Sequence, residues 1–379
     1  MGAAEDRAEQ AARWRLFHDL EVDALPVYGR ICAGVAGDDE LLDLMSHAPR
    51  GQRRPNLLLA LVHDLLLAGV DHPLSAWYPT VSGHPPPDAD PFPAFADLVL
   101  THRERITEGL ATRSTQTNEV NRSCLWRVAL AELGSLGIER VALVEVGASA
   151  GLNLFPDLHH YRYGEVDIGD PDAGADLVCD PIGGRATEAV LRGTLPTIAH
   201  RAGIDLHPID PTDPDATRWL RACLWPEQPQ RAARLEAAIA IAAVDARQRT
   251  TPLVTRADAV DGLPAALEAC PDDATVVVIN SWVMTYLPRR RRRELAEVVD
   301  DASAERDVIW LCAEAPTVVE WMGSDPWGAT HDGSMPSLVG VRHRRSGSLH
   351  TGMVARCHPH LAWLDWRGFG RPTTGRTLD

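Results

Sequence analysis

The stretch Val141-Ala142-Leu143-Val144-Glu145-Val146-Gly147-Ala148-Ser149-Ala150-Gly151-Leu152-Asn153-Leu154 decides the fold. It opens with a short apolar run rich in β-branched residues, the pattern of a strand buried on both faces. An acid, Glu145, sits near the end of that strand. Gly147, three small residues and Gly151 follow, and a helical segment is expected after them. Gly147 permits a sharp turn, and Gly151 permits close approach of a ligand or another backbone. A helix beginning there would aim free N–H groups at whatever occupies the turn. The pattern is that of a cofactor-cradling strand–turn–helix. An ordinary tight turn in an unrelated α/β domain is the alternative.

A dinucleotide fingerprint requires G-x-G-x-x-G, with an acid about 20 residues further on. Here the spacing is Gly147-x-x-x-Gly151, and Glu145 lies two positions ahead of the first glycine. A carboxylate there repels a pyrophosphate and suits an ammonium group. The stretch resembles motif I of the class I S-adenosylmethionine-dependent methyltransferases, E/D-x-G-x-x-x-G. The resemblance implies an α/β fold with a Rossmann-like, methyltransferase-type sheet, mostly parallel and closed by an antiparallel C-terminal hairpin. It also implies that S-adenosyl-L-methionine is held around Glu145, Gly147, Ala148, Ser149, Gly151 and Asn153.

Later segments follow the same order, over roughly residues 139 to 368. Residues 201–208 read as a second strand, and the resemblance makes Asp205 the acceptor of the ribose hydroxyls. Residues 252–259 read as a third, with Asp258 and Ala259 at the adenine. Residues 275–283 and 306–314 read as the fourth and fifth, with Asn280 and Ser281 at the cofactor end of the fourth. Helical stretches separate these strands, as parallel pairing requires. Residues 337–343 and 360–366 are two more strand candidates. The gap between Asn153 and Asp205 exceeds one helix, so an insertion is expected at about 156–200. Its segment 175–180, ending in Asp180, is a rival second strand. Asn280-Ser281-Trp282-Val283 departs from the N-P-P-Y signature of amino-group methyltransferases acting on bases, so that chemistry is not implied.

The whole chain also resembles an uncharacterised bacterial family known as a domain of unknown function. Arg54-Pro55-Asn56-Leu57-Leu58, Gln116-Thr117-Asn118-Glu119-Val120-Asn121-Arg122, Gly203-Ile204-Asp205-Leu206, Trp219-Leu220 and Leu224-Trp225-Pro226-Glu227 carry that resemblance. It implies no reaction.

Length and composition suit a globular enzyme. The chain has 379 residues, 45% of them hydrophobic and 24% charged, enough for two or three domains. A net charge of −16 argues against general nucleic-acid or membrane binding, because phosphate surfaces select basic proteins. No run approaches the roughly 18 apolar residues of a membrane span. Residues 1–10 lack the apolar core of a secretory signal. The seven cysteines are scattered with no C-x-x-C, which fits a reducing cytoplasm better than a disulfide or zinc framework.

Residues 1–136 read as an all-helical domain and 137–370 as the cofactor domain. Helices are expected over 55–68, 95–110, 118–136 and 214–244, with Asp38-Asp39-Glu40 at a helix start. Residues 79–93 read as a loop, and the tail from Phe369 as frayed. The polar run 112–122 is either a helix start capped by Thr117 or Asn118, or the lining of a substrate pocket. In the second case Gln116, Asn118, Asn121 and Arg122 bind substrate. Arg289–Arg293 reads as a solvated helix start, and His358 with His360 as structural. No G-x-S-x-G or G-x-x-x-x-G-K-[ST] is present, which removes the α/β-hydrolase and P-loop classes.

The leading expectation is S-adenosylmethionine-dependent methyl transfer to a small molecule, with Glu119, Tyr286 and Glu314 as candidate catalytic residues. A methyltransferase-like protein that binds a ligand or partner without turnover is the second expectation. A nicotinamide-dependent oxidoreductase is the third. No metal is expected, and the sequence is silent on oligomeric state.

Overall fold

The computed structural model describes residues 3–116, 118–345 and 347–369. Thr117, proposed above as a cap, and the tail beyond Phe369 lie outside them. The chain divides into two compact units, Met1–Thr117 with Asp213–Leu235, and Asn118–Thr212 with Glu236–Asp379. This division differs from the expected boundary at 136/137. Helix Ser123–Ser135 joins the sheet unit, and a later segment returns to the helical one.

The first unit is helical. Helices Ala3–Phe17, Pro26–Val35, Pro55–Leu67, Phe92–Thr101, Arg103–Thr112 and Pro214–Ala222 bury Trp14, Tyr28, Ile31, Leu57, Phe95 and Trp219 in one core. Proline at the first position starts Pro26–Val35 and Pro55–Leu67 without losing a bonded N–H. The Asp38 carboxylate caps Asp39–Leu44, accepting from the N–H groups of Glu40 and Leu41 at 3.0 Å each. Two expected helices are each split. The stretch 95–110 breaks at His102, and 214–244 becomes Pro214–Ala222 and Pro229–Gln248. Pro226 and Pro229 lack the N–H groups that a continuous helix needs. Glu227, in that break, accepts from the N–H groups of Val27 and Tyr28 at 2.8 Å each.

The second unit is built on strands: β1 Arg140–Val146, β2 His160–Tyr163, β3 Val166–Ile168, β4 Asp176–Val178, β5 Asp180–Pro181, β6 Thr197–Asp205, β7 Val254–Arg256, β8 Thr275–Ser281, β9 Val308–Glu314, β10 Ser337–Arg345, β11 Ser348–Cys357 and β12 Trp363–Trp366. Nine of them form one sheet in the order β5-β12-β11-β10-β9-β8-β1-β6-β7. Pairing is parallel from β7 through β9, and antiparallel from β9 to β12. The unit is thus mixed α/β with a large, mostly parallel central sheet. β1 and β8 are buried at nearly every position, and helix Arg289–Glu305 covers Trp310 and its neighbours through Leu295 and Val299.

β6, not 175–180, lies beside β1, in register from Arg140↔Thr197 to Val146↔Ile204. The rival segment splits between β4, in a separate sheet β3-β2-β4, and β5 at the far edge of the large sheet. Two expectations fail locally. The segment after Gly151 forms a single 3-10 turn, Leu152–Leu154, rather than a helix. The C-terminal hairpin pairs β10 with β11, a strand whose polar, exposed first half carried no strand pattern.

Candidate functional site

β1 is flanked by β6 on one side and β8 on the other, so the chain order reverses there. Open α/β sheets bind ligands beyond the carboxyl ends of strands at such a reversal. Two non-glycine residues take left-handed backbone just past those ends, Ser149 after β1 and Trp282 after β8, at φ 52° and 57°. Such strain persists only where the surroundings hold it, and it gathers at functional sites. The Asp205 carboxylate holds the first: it accepts from the N–H of Ser149 at 2.9 Å and of His207 at 2.8 Å. Gly147 and Ala148 donate their N–H groups to Ile204 O.

The two turn glycines are required by the protein's own side chains. Gly147 has φ +73°, and a Cβ there would lie 2.2 Å from Val283 Cγ2. A Cβ on Gly151, at φ +70°, would meet Leu253 at 2.9 Å and Val254 at 3.0 Å. The reading that Gly147 and Gly151 clear space for a ligand is therefore corrected: Val283 and the Leu253–Val254 pair fill it.

Beneath this turn lies a buried polar cluster. Glu145, 3% exposed, receives a bond from Asn153 Nδ2 at 3.4 Å on Oε1, while Oε2 has no partner among the described residues. Burial pushes its carboxyl up to about 8; the Asn153 bond and nearby Arg122 oppose the shift. Asn153 also accepts from Ser123 Oγ at 3.0 Å, and Asn118 Nδ2 donates to Ala148 O at 3.3 Å. Glu314 ends β9 fully buried. Its Oε1 accepts from Asn280 Nδ2 and from the N–H groups of Val283 and Met284, at 2.7–2.9 Å. Its Oε2 has no partner among the described residues. Burial raises this carboxyl too, against the backbone bonds that favour its charged form.

Several expected ligand residues serve the fold instead. Asn280 gives its oxygen to Trp310 Nε1 at 2.7 Å and its amide to Glu314, so it orients Glu314 rather than a cofactor. Asn121 is used up: its amide donates to Val178 O and Leu361 O, and its oxygen accepts from Val178 N. Asp258 Oδ1 is held by Arg291 and by the N–H groups of Val260 and Asp261, while Oδ2 makes no hydrogen bond among the described residues, which leaves one oxygen for the adenine partner role expected at Asp258 and Ala259. Gln116 belongs to the other compact unit, where its N–H donates to Cys223 Sγ at 3.5 Å. Tyr286 is 68% exposed, whereas Glu119 and Glu314 are buried. Ser281 gives Oγ and its carbonyl to Arg122. Of the basic run, Arg290, Arg291 and Arg293 meet Glu294, Asp261 and Glu320 in surface ion pairs.

Glu119, 4% exposed, meets His360 Nδ1 through Oε2 at 3.1 Å. The two lie 241 residues apart, so no local signal linked them. His360, read as structural, is thus oriented by a buried acid, an arrangement that prepares an imidazole for proton transfer. A separate cavity of about 610 Å3 lies against the middle of β6, lined by Phe155, Leu158, Arg201, Ile241 and Val244. It does not include the strand-end cluster. No described helix is long and apolar enough to cross a membrane.

A family model matches residues 12–366, nearly the whole chain. The chain belongs to the bacterial family described as an uncharacterized protein conserved in bacteria (DUF2332). The match spans both compact units, as the segments quoted from 54–58 to 224–227 implied. No curated protein matches the chain.

Proposed function

We propose that the sheet unit binds S-adenosylmethionine beyond the carboxyl ends of β1, β6 and β8, and transfers its methyl group to a small molecule. One observation carries the proposal: at the order reversal β7-β6-β1-β8-β9, the two neighbouring strands β1 and β6 carry acids at their carboxyl ends, Glu145 one residue before the last of β1 and Asp205 the last of β6. That arrangement is similar to a methyltransferase-type sheet. The residues present fit the group. Glu145 offers an ammonium a buried oxygen that has no partner among the described residues. Asp205 has one backbone N–H on each oxygen, and an ionised carboxylate has room for about four such bonds, so ribose hydroxyls find acceptors.

The bound cofactor supplies an activated methyl on a sulfonium. The chain's own work is then to hold the two reactants in line and exclude water. A protonated acceptor needs a base, and His360, oriented by Glu119, is our candidate for that role.

Thermal unfolding tests the reading. At 100 times the dissociation constant, S-adenosylhomocysteine should stabilise the protein by about 2.7 kcal/mol, while NAD leaves it unchanged. A shift with NAD alone would replace the cofactor assignment. One observation favours binding without turnover: Val283 is packed against Gly147, where a reacting ligand needs access. Label transfer from S-adenosylmethionine into a metabolite extract separates the two readings.

A further inference from the structure

Arg122 is only 8% exposed, yet it has no ion pair among the described residues. Its Nε donates to Pro359 O at 3.2 Å, and its Nη1 to Ser281 O and Oγ at 3.3 and 3.2 Å. Nη2 makes no hydrogen bond among the described residues. Arg356, buried to the same degree in the same unit, instead pairs with Asp325 and Asp365 at 3.3 and 3.2 Å. A buried guanidinium without a counter-ion costs several kcal/mol, so an unmatched one calls for an anion.

Glu119, Glu145 and Glu314 act on Arg122 through space without bonding to it. Each is tied elsewhere: Glu119 to His360, Glu145 to Asn153, and Glu314 to Asn280 and the 283–284 backbone. Two of them keep a buried oxygen with no partner among the described residues, Glu145 Oε2 and Glu314 Oε2. One unpaired cation among carboxylates with unused acceptors is the complement of a zwitterion. A phosphate dianion would bring two charges to a single arginine, beside acids that offer it no further cation. A ligand carboxylate presents a single charge to the planar guanidinium, and its own ammonium supplies donors and a counter-charge to an acid with an unbonded oxygen.

We propose that Arg122 and Glu145 bind the α-amino-acid end of a ligand, its carboxylate on Arg122 Nη2 and its ammonium on Glu145 Oε2. Two sources carry that group: the methionine half of S-adenosylmethionine, or a free amino acid serving as methyl acceptor. The first source rests on the function proposed above; the receptor itself does not.

Calorimetry on the full chain tests this with three probes: S-adenosylhomocysteine, 5′-methylthioadenosine, which lacks the amino-acid end, and the standard amino acids one by one. If the cofactor supplies the group, S-adenosylhomocysteine binds at least about tenfold more tightly than 5′-methylthioadenosine, and Arg122→Met removes that advantage. If the acceptor supplies it, one amino acid binds, its binding is lost in Arg122→Met, and S-adenosylhomocysteine is unaffected. Binding of an amino acid but of neither nucleoside keeps the receptor and sinks the cofactor reading. Equal binding of the two nucleosides, unchanged in Arg122→Met and with no amino acid bound, keeps the cofactor and overturns the receptor. Absence of all binding overturns both. Should Arg122→Met fail to fold, blocked ligands on the wild type decide. Converting the ligand carboxylate to an amide, or acetylating its amine, should abolish the gain; unchanged affinity would overturn the proposal.

Discussion

In the helical unit, buried Asp64 pairs with Arg218 at 2.9 Å, and half-buried Glu227 spends both oxygens on the N–H groups of Val27 and Tyr28. In the sheet unit, Glu145 and Glu314 each bury an oxygen with no partner, and Arg122 buries a charge with no ion pair among the described residues. The first arrangement is how a core tolerates charge: each group is matched and the fold gains order. The second costs stability in the free protein, and it persists because Asn153, Asn280, Ser281 and the strand-end backbone hold the groups in place. Unmatched polar groups held rigidly at a chain-order reversal are what the proposed ligand site would use. Unmatched charge in a core would be a defect.

The largest expected effect breaks the platform on which the sheet-unit cluster rests. Gly147→Val forces a side chain onto φ +73° and into Val283 Cγ2, so it should lower stability by roughly 2–4 kcal/mol in urea unfolding. Val283→Ala in the same background should restore part of that loss. If it restores nothing, backbone strain alone accounts for the effect and the packing argument is withdrawn.

Glu145 sharpens the comparison through pH. Its folded carboxyl is raised from 4.5 to about 8, so the folded state binds more protons than the unfolded one between those values. Stability therefore falls as pH rises from about 5 to 8, on the order of a few kcal/mol. Glu145→Gln should flatten that slope in chemical denaturation followed across pH. A slope unchanged by Glu145→Gln would mean that the buried oxygen is satisfied in solution.

Asp205→Ala removes the acid at the end of β6 and should weaken S-adenosylhomocysteine by at least about tenfold, or ~1.4 kcal/mol, by calorimetry. Asp180→Ala, at the far sheet edge in β5, should leave affinity unchanged. The opposite ranking would remove the proposed site from β6. The smallest effect lies in the helical unit. Glu227→Gln keeps one acceptor for two N–H groups and should cost about 1 kcal/mol, with no change in ligand affinity.

Much of the sheet was legible because β-branched apolar runs at 141–146, 275–280 and 308–312 carry a local signal that burial on both faces demands. β11 was not legible, because Ser348–Gly352 is polar and exposed and becomes a strand only by pairing with β10. Among site residues, Glu145, Glu314 and Arg122 were named from sequence, and all three are buried beyond or at the carboxyl ends of the sheet's strands, with an oxygen unbonded or a charge without an ion pair among the described residues. Asn121 and Asn280 were named for the same reason, a polar residue in an apolar setting, yet their amides bond the fold itself.

The sequence by itself determined the strand–turn at 141–151, the need for glycine there, the all-helical first hundred residues and the kinship with an uncharacterised bacterial family. Each rests on local pattern: periodicity, β-branching and left-handed turns, which neighbours within a few positions impose. Only tertiary structure decided which strand lies beside β1, that Val283 rather than a ligand fills the space at Gly147, that Glu119 orients His360, and that Arg122 has hydrogen bonds but no ion pair among the described residues. Those outcomes depend on pairings across tens to hundreds of residues. A side chain's bonding capacity is written in the sequence, but which groups reach it is set by the packing of strands and loops around it.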